Sequence, residues 1–509
     1  MTQAELSAEA APEFVDPASC RAWLDNVPLA NVAAAQAELA AQIGEFNRLP
    51  TTPANRLAVM ERLREAVNFV QVEQARRFSN RALPMLEAEA AAFDATCALW
   101  QAMQAGYQRC LKLDERSADE HTGALVCQRM LAYIGLRMFH HHRAYREVPA
   151  ADWRALHEAY ARAEQLGVAE EPVKDFLNRD VHDTSPRIAY ARAALMGTCN
   201  PNELTQRQLT FVAYLLERWA AKLEVARAPV DEGEGVPPFV ADLGSERAPT
   251  RETPAGTALR YLDARKLAKS LKNRVALLRK GESPAKLALG EDCVQPSCEQ
   301  LLVFLYRQWC QAKSPRGVER RKVSAGADAC NDFEAVHYCI SGSRFRQPGG
   351  DPAYGEPEGF ALEHWRIDDD SAQGLRLARP GGTGDRRYAH GQLLAVRPDD
   401  ARAFMLGQVR WLTASAEGEL RAGVKLLPGL PAGVAIRATG LNARNEKYVP
   451  ALALGAVPAL GAPASLVLPS GWFKPRRVVE LFADAPQSVR FTEVLERGAD
   501  FERIVYEPA

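Results

Sequence analysis

Two arginines four residues apart form the first group of side chains with a recognisable chemistry. Arg316 and Arg320 are separated by three residues, and Arg321 follows directly. A guanidinium group grips phosphate oxygens in a bidentate fork, bonds guanine O6 and N7, and stacks on a base. Because Pro315 and Gly317 disfavour a continued helix, we expect a flexible segment that can wrap an anionic ligand. The alternative is a solvated, salt-bridged linker.

A second polar group follows an apparent strand. Asp369, Ser371 and Gly374 form the pattern Asp-x-Ser-x-x-Gly. The carboxylate can accept guanine N–H groups, the hydroxyl can bond a phosphate, and the glycine allows a close backbone approach. The alternative is an ordinary turn, in which the Asp and Ser side chains bond their own backbone.

The half of the chain that precedes both groups has a helical pattern. Leu86, Ala90, Phe93 and Cys97 recur at spacings of three and four, as in an amphipathic helix. The predicted helices cover residues 54–80, 83–111, 125–145, 153–166, 185–197, 205–225, 258–278 and 297–312. A break rich in Pro, Gly and acidic residues at 228–256 separates two groups of helices.

Short strands follow residue 313. They are predicted at 335–340, 360–367, 375–378, 392–396, 404–412 and 421–427. Six short strands separated by Gly, Pro and Asp turns indicate a small antiparallel barrel. Further strands, at 434–438, 448–454, 464–468, 478–482 and 488–492, form either a second small barrel or an extension of the first.

The two polar groups, in this order and followed by these strands, resemble the PilZ family of receptors for the bacterial second messenger cyclic-di-GMP. PilZ domains carry Arg-x-x-x-Arg just before the first barrel strand and (Asp/Asn)-x-Ser-x-x-Gly after the second. The later barrel strands of the family resemble residues 391–397, 407–411 and 422–427. The resemblance covers roughly residues 313–428.

Several expectations follow from this resemblance. The barrel would bind cyclic-di-GMP and pass the signal to a partner domain or protein, with no catalysis, no metal ion and no other cofactor. The ligand-binding residues would be Arg316, Arg320, Arg321, Asp369, Ser371 and Gly374. Whether one or two dinucleotides bind stays open.

The fold class predicted for the whole chain is therefore α+β and multidomain. An all-α N-terminal half of repeat-like helical hairpins precedes a six-stranded, PilZ-like barrel and a further β-rich segment. The predicted divisions are a loose arm at 1–30, a helical domain at 31–227, a linker at 228–256, a helical segment at 257–312, the barrel at 313–428 and the β-rich extension at 429–509.

Composition places the chain among ordinary globular proteins. Of 509 residues, 47% are hydrophobic and 25% charged, and the net charge is −1. This balance gives no global field that would favour a nucleic-acid polymer or an anionic membrane. No long apolar run and no signal-peptide pattern occur, so we expect a cytoplasmic protein without membrane insertion. The ten cysteines, including the pair Cys293 and Cys298, match no zinc or redox motif and are expected to be reduced.

Other candidate sites are weaker. His140, His141 and His142 are adjacent, but successive helical residues point ~100° apart and cannot converge on one metal ion. We therefore expect an exposed polar stretch near a helix end. The chain has no Gly-x-x-x-x-Gly-Lys phosphate loop and no Gly-x-Ser-x-Gly elbow.

The leading hypothesis is thus a non-enzymatic, cyclic-di-GMP-binding signal-transduction effector, with the helical half as a scaffold for a protein partner. The first alternative is an interaction scaffold whose barrel is degenerate and binds no nucleotide. This alternative is favoured by the size of the helical half, where Trp153 and Tyr160 are expected at the surface and could contact a partner. An enzyme with a site between the two halves is a weaker alternative.

Overall fold

The computed structural model describes residues 11–111, 119–230, 235–311, 321–348, 360–371, 373–384, 386–439 and 446–509, except the side chains of residues 323 and 324. The chain divides into two compact units, one of residues 1–80 and 85–315, the other of residues 81–84 and 316–509. The segment 81–84 belongs to the second unit, where Leu83 and Tyr388 exchange two backbone hydrogen bonds.

Helices dominate the first unit. Those described are α1 (Pro17–Leu24), α2 (Val32–Arg48), α3 (Pro53–Gln74), α4 (Glu87–Gln108), α5 (Glu120–Arg143), α6 (Ala150–Gln165), α7 (Pro186–Thr198), α8 (Gln206–Trp219), α9 (Arg265–Arg279) and α10 (Ser297–Cys310). Within the described ranges, every helix is too short or too polar to cross a membrane.

Local sequence explains where several helices begin. The side chains of Thr52, Ser185 and Thr205 each accept a hydrogen bond from a backbone N–H of the first helical turn. Pro53 and Pro186 stand at helix starts, where the N–H that proline lacks would have no helical partner. The predicted starts of these three helices agree with the structure to within one residue.

Aromatic side chains fill the core of the first unit. Trp100, Tyr107 and Tyr133 are at most 2% exposed, and the rings of Tyr107 and Tyr133 stack with centroids 5.6 Å apart. Trp153 and Tyr160, which we expected at the surface, are only 7% and 2% exposed. The expectation was wrong because α6 packs against α5 and α7, so its aromatic face is covered.

The three adjacent histidines are buried as well, which corrects the expectation of an exposed stretch. The ring of His140 stacks on Trp100, and that of His141 meets the edge of Phe93. Burial lowers the pKa of His140, His141 and His142 to about 3, 4 and 3. These histidines are therefore neutral core residues at the end of α5.

The first unit also contains small sheets that the helical pattern did not predict. One pairs β1 (Val173–Lys174) with β2 (Asp183–Thr184), and the other has the order β3-β5-β4, from β3 (Glu224–Ala226), β4 (Phe239–Asp242) and β5 (Leu259–Asp263). The predicted helix at 258–278 therefore begins late, at α9, after a strand. Propensity alone misses β4 and β5 because their pairing partners lie far along the chain.

The N-terminal arm and one cysteine pair also differ from expectation. Phe14 and Trp23 are buried, and the Asp16 side chain caps α1, so this part of the arm is ordered against the core. Cys293 and Cys298 form a disulfide with their Cα atoms 5.0 Å apart. The expectation of reduced thiols was wrong for this pair, because a turn that the spacing did not reveal brings them together.

A closed antiparallel barrel follows in the second unit. Its strands are β6 (Arg321–Cys330), β7 (Glu363–Ser371), β8 (Gly374–Arg379), β9 (Leu393–Pro398), β10 (Met405–Ala414) and β11 (Leu420–Leu426). They close in the order β10-β11-β8-β7-β6-β9. The predicted six-stranded barrel is confirmed, and we call it the first barrel.

One of the six strands predicted for the first barrel was wrong. Residues 335–340 were predicted as a strand but lie in helix α11 (Phe333–Ser341), which Asp332 caps and Gly342 ends with a φ of 73°. The missing strand is β6, whose small residues give a weak strand signal. Pairing with β7 on one side and β9 on the other holds β6 in the barrel.

The C-terminal extension forms a second closed barrel. Its strands are β12 (Pro431–Ala438), β13 (Val449–Leu454), β14 (Ser465–Pro469), β15 (Val478–Phe482), β16 (Pro486–Arg497) and β17 (Phe501–Pro508), in the order β12-β13-β14-β17-β16-β15. Of the two possibilities left open by the sequence, the structure thus has a separate barrel rather than an extension of the first.

The two barrels of the second unit share an apolar cluster. Val336 of α11 is buried together with Leu393 and Leu406 of the first barrel and Leu452 and Val467 of the second. Helix α11 therefore links the two barrels through their cores.

Candidate ligand-binding site on the first barrel

The Asp-x-Ser-x-x-Gly group spans the end of β7 and the start of β8, with Asp369 and Ser371 in β7 and Gly374 as the first residue of β8. Ser371 pairs with Gly374 in the ladder. The Ser371 hydroxyl donates a hydrogen bond to the Gly374 carbonyl at 3.2 Å and accepts one from the Gln373 N–H at 3.4 Å. The side chain thus bonds its own turn, as the simpler interpretation of the sequence predicted.

Close packing of the barrel strands requires a glycine at position 374. A Cβ atom at this position would lie 2.5 Å from the carbonyl oxygen of Val424 on β11. The glycine therefore lets β8 and β11 approach closely enough to close the barrel.

The arginines are described in part. Arg316 and Arg320 lie outside the described residues. Arg321 begins β6, pairs with Asp370 in the ladder, and forms an ion pair with its carboxylate at 3.0 Å. The hydrogen bond that Arg321 donates to the Asp370 carboxylate raises the pKa of Arg321. Its side chain is 77% exposed, so the pair is weak and leaves the guanidinium accessible to a ligand.

Asp369 belongs to a different row of side chains from Arg321. Successive residues of a strand point to opposite faces, so Asp369 shares its face with Lys322, its partner across the ladder, rather than with Arg321. The structure therefore brings Asp369 and Ser371 onto one hairpin and places Arg321 beside Asp370.

A line of directly paired positions crosses five strands of the first barrel. It runs from Lys322 on β6 through Asp369 on β7, Arg376 on β8 and Gly423 on β11 to Trp411 on β10. Directly opposed residues of adjacent strands place their side chains on the same face, about 5 Å apart. We call these five residues the cross-strand row.

The central members of the cross-strand row contact one another. A carboxylate oxygen of Asp369 lies 3.9 Å from a guanidinium nitrogen of Arg376. The Arg376 guanidinium also lies 5.7 Å from the centroid of the Trp411 ring, within the range of a cation–π interaction. Because Arg376 is 42% exposed and Trp411 is half-buried, both remain within reach of a ligand.

Gly423 makes this arrangement possible. A Cβ atom at Gly423 would lie 1.9 Å from Nε1 of Trp411. The indole therefore occupies the space that a side chain would fill, and its ring lies over β11 towards Arg376.

The cross-strand row combines a hydrogen-bond acceptor, cations and a ring surface. The Asp369 carboxylate suits N–H donors, the Arg376 guanidinium suits phosphate oxygens, and the indole suits stacking of a planar base. Sequence reasoning missed Arg376 and Trp411 as site residues, because they are 35 positions apart in the chain and only the strand register brings them together.

Comparisons with known proteins bear on both ends of the chain. Residues 18–229 match the family model described as cyclic-di-GMP receptor FimW, N-terminal domain. Residues 434–509 match that of the FimW C-terminal beta-barrel domain. The matches lie on either side of the first barrel.

A curated relative extends the likeness through the middle of the chain. The cyclic-di-GMP receptor FimW of Pseudomonas aeruginosa is 21% identical over 514 aligned positions, which cover 89% of this chain and 84% of the relative. Over most of its length, first barrel included, this protein is therefore similar to the cyclic-di-GMP receptor FimW.

Proposed function

We propose that this protein is a non-enzymatic cyclic-di-GMP effector that binds its ligand on the first barrel. One observation carries the location: the carboxylate, guanidinium and indole of Asp369, Arg376 and Trp411 stand in line across the strands beside the Asp-x-Ser-x-x-Gly turn. The identity of the ligand is supported by the likeness to the receptor FimW and by the resemblance to PilZ domains.

Each part of the dinucleotide has a matching group in this proposal. Asp369 accepts the N1–H and N2–H groups of one guanine, and Trp411 stacks on a base. Arg376 and Arg321 bind the phosphates or the O6 and N7 edge, because a guanidinium suits both. Ser371 adds a phosphate contact by turning away from its backbone bond. The PilZ-like Arg316 and Arg320 close over the ligand from the preceding segment.

Signal transmission is proposed to run through β6. The arginine segment leads directly into this strand, and the other end of β6 connects to α11. Since α11 packs in the apolar cluster shared with the second barrel, binding of the arginines to a ligand would bias an element that both barrels contact. The helical unit would then serve as the docking scaffold for a protein partner.

Isothermal titration of purified, nucleotide-free, full-length protein tests the proposal. We expect saturable cyclic-di-GMP binding and a dissociation constant about 10–100-fold higher in Arg376→Ala, since a hydrogen bond to a charged group contributes roughly 1.5–3 kcal/mol. Asp369→Ala and Arg320→Ala should weaken binding in the same direction. Absence of binding heat in the wild-type protein would overturn the proposal.

A matched control lies on the same barrel. Arg366 on β7 is half exposed and pairs with Asp368 at 2.8 Å, but it is not part of the cross-strand row. Arg366→Ala should bind cyclic-di-GMP like the wild type. Equal losses in Arg366→Ala and Arg376→Ala would mean that the row has no specific role.

A second candidate function is a scaffold whose barrel binds no nucleotide. It is favoured by the ion pairs that Asp369 and Asp370 already make with Arg376 and Arg321, because a ligand would have to compete with them. A partner pull-down that is unchanged by added cyclic-di-GMP, together with no binding heat, would favour this scaffold.

A further inference from the structure

A pair of thiols stands where β6 ends and α11 begins. Cys330 is the last residue of β6, and Cys339 lies in the second half of α11. Their sulfur atoms are 3.1 Å apart, and neither cysteine has a role in the proposed function.

The backbone between the two cysteines is held at several points. The Asn331 side chain donates a hydrogen bond to the carbonyl of Arg387 at 2.7 Å. The Asp332 carboxylate caps α11 by accepting the N–H of Glu334 at 3.0 Å. Val336 is buried and stands one helical turn before Cys339, so Cys339 shares its inward-facing side. The approach of the sulfurs is therefore a consequence of the fold.

The two sulfurs are not equivalent. Cys330 is fully buried, whereas Cys339 is half-buried. The hydrogen bond between the two thiols lowers the pKa of Cys339, and the cations of Arg386 and Arg397 act in the same direction against burial and Asp328. The hydrogen bond to Cys339, together with burial, raises the pKa of Cys330. Cys339 is therefore the accessible nucleophile and Cys330 the resolving thiol.

We propose that Cys330 and Cys339 are a site of reversible disulfide formation, oxidised by a low-molecular-weight disulfide such as glutathione disulfide. The Cys339 thiolate attacks one sulfur of glutathione disulfide and releases one glutathione thiolate. Cys330 then loses its proton and attacks Sγ of Cys339, which releases the second glutathione. Two protein thiols are oxidised to one disulfide, and one glutathione disulfide is reduced to two thiols.

The bond would fix α11 to β6. Because α11 packs against β9, β12 and β13, the cross-link would hold the helix that both barrels contact. The proposal does not depend on the proposed ligand, since neither cysteine belongs to the cross-strand row.

Peptide mapping of the full-length protein in glutathione redox buffers tests the proposal. Residues 323–344 form one tryptic peptide that contains both cysteines, because Lys322 and Arg344 flank a stretch without Lys or Arg. After blocking free thiols with N-ethylmaleimide, the reduced peptide carries two labels. The oxidised peptide should carry no label and weigh two hydrogens less than the unlabelled reduced peptide. Reduction with dithiothreitol before labelling should restore both labels.

Two variants distinguish the roles of the sulfurs. Cys330→Ser should trap a lasting glutathione adduct on Cys339, because no resolving thiol remains. Cys339→Ser should leave Cys330 unmodified, because that sulfur is buried. Circular dichroism checks that both variants are folded, and the wild-type result stands without them.

The disulfide of Cys293 and Cys298 is the internal reference. If peptide 323–344 of the wild type keeps both labels in a buffer that fully oxidises the reference pair, the proposal is overturned. It is equally overturned if Cys339→Ser traps glutathione as readily as Cys330→Ser.

Discussion

At the scale of single residues, the candidate site depends on the lack of a side chain at Gly423. Gly423 leaves the space in which the indole of Trp411 lies, and the indole in turn faces the guanidinium of Arg376. A glycine within a strand ordinarily weakens it. Here the lost strand propensity is offset by an aromatic surface beside a cation.

We expect Gly423→Ala to weaken cyclic-di-GMP binding and to destabilise the protein by about 1–3 kcal/mol, because the new methyl group displaces the indole in a packed site. Titration calorimetry and chemical denaturation measure the two effects. Gly455→Ala is the control, since nothing lies within 4 Å of its Cβ position. Wild-type affinity in Gly423→Ala would show that the position of the indole is irrelevant to binding.

The three buried histidines predict how stability depends on pH. Their folded-state pKa values of about 3, 4 and 3 lie below the ordinary value of 6.5. Above pH 6.5 both the folded and the unfolded state hold neutral rings, so their full contribution is present. Below it only the unfolded state takes up protons, and stability falls by roughly 1.4 kcal/mol per pH unit for each histidine.

Urea denaturation between pH 7.5 and pH 5 checks this dependence. His140→Phe should lower the slope of unfolding free energy against pH by roughly 1.4 kcal/mol per pH unit, because one titrating ring is removed. The phenyl ring can keep the contact with Trp100. The exposed His364 provides the control variant His364→Gln. If His140→Phe and wild type have the same slope, then His140 is not protonated on unfolding in this range.

At the scale of elements, a buried ion-pair network ties α3 and α5 to β1. Asp175, which follows β1, accepts a bond from Arg64 of α3 at 2.6 Å and lies 3.6 Å from Arg129 of α5. Burial opposes ionisation, but Arg64 and Arg129 together lower the pKa of Asp175. The carboxylate is therefore charged and balances two buried cations.

Asp175→Ala should destabilise the protein by about 3–5 kcal/mol, because it removes the buried carboxylate that balances Arg64 and Arg129 and leaves them to share the partly exposed Glu61. Lys174→Ala, one residue away, removes an exposed pair with Asp183 and should cost less than ~1 kcal/mol. Chemical denaturation of both variants compares the two effects. Similar losses would mean that the network around Asp175 is not the cause.

Two elements of the second unit, α11 and β6, were not assigned correctly from sequence patterns. The apolar run at 335–340 is too short to separate helix from strand by periodicity. Its helical state is decided by the cap at Asp332, the left-handed Gly342 and burial between two barrels. Strand β6 has the opposite difficulty, because its small residues become a strand only through two flanking partners.

At the scale of the whole molecule, ligand binding should stabilise the folded state. If cyclic-di-GMP binds as proposed, a concentration 100 times the dissociation constant should add about 2.7 kcal/mol to the unfolding free energy of the unit that contains the first barrel. Differential scanning calorimetry should therefore record a higher unfolding temperature, and Asp369→Ala should reduce the shift.

Cyclic-di-AMP is the matched control for this shift. It presents the same ring and phosphates, but adenine lacks the N1–H and N2–H donors that Asp369 is proposed to accept. An equal shift with both dinucleotides would mean that the barrel reads only phosphate and ring shape.

Local patterns determined most helices of the first unit, the turn that ends β7 and the existence of a six-stranded barrel, because caps, amphipathic spacing and turn chemistry act over a few residues. The cross-strand row and the Cys330–Cys339 pair needed the tertiary structure. Arg376, Gly423 and Trp411 meet only through the register of strands distant in the chain. The sulfurs meet only because α11 folds back onto the end of β6. Register and helix docking are set by packing of the whole barrel, which sequence spacing does not encode.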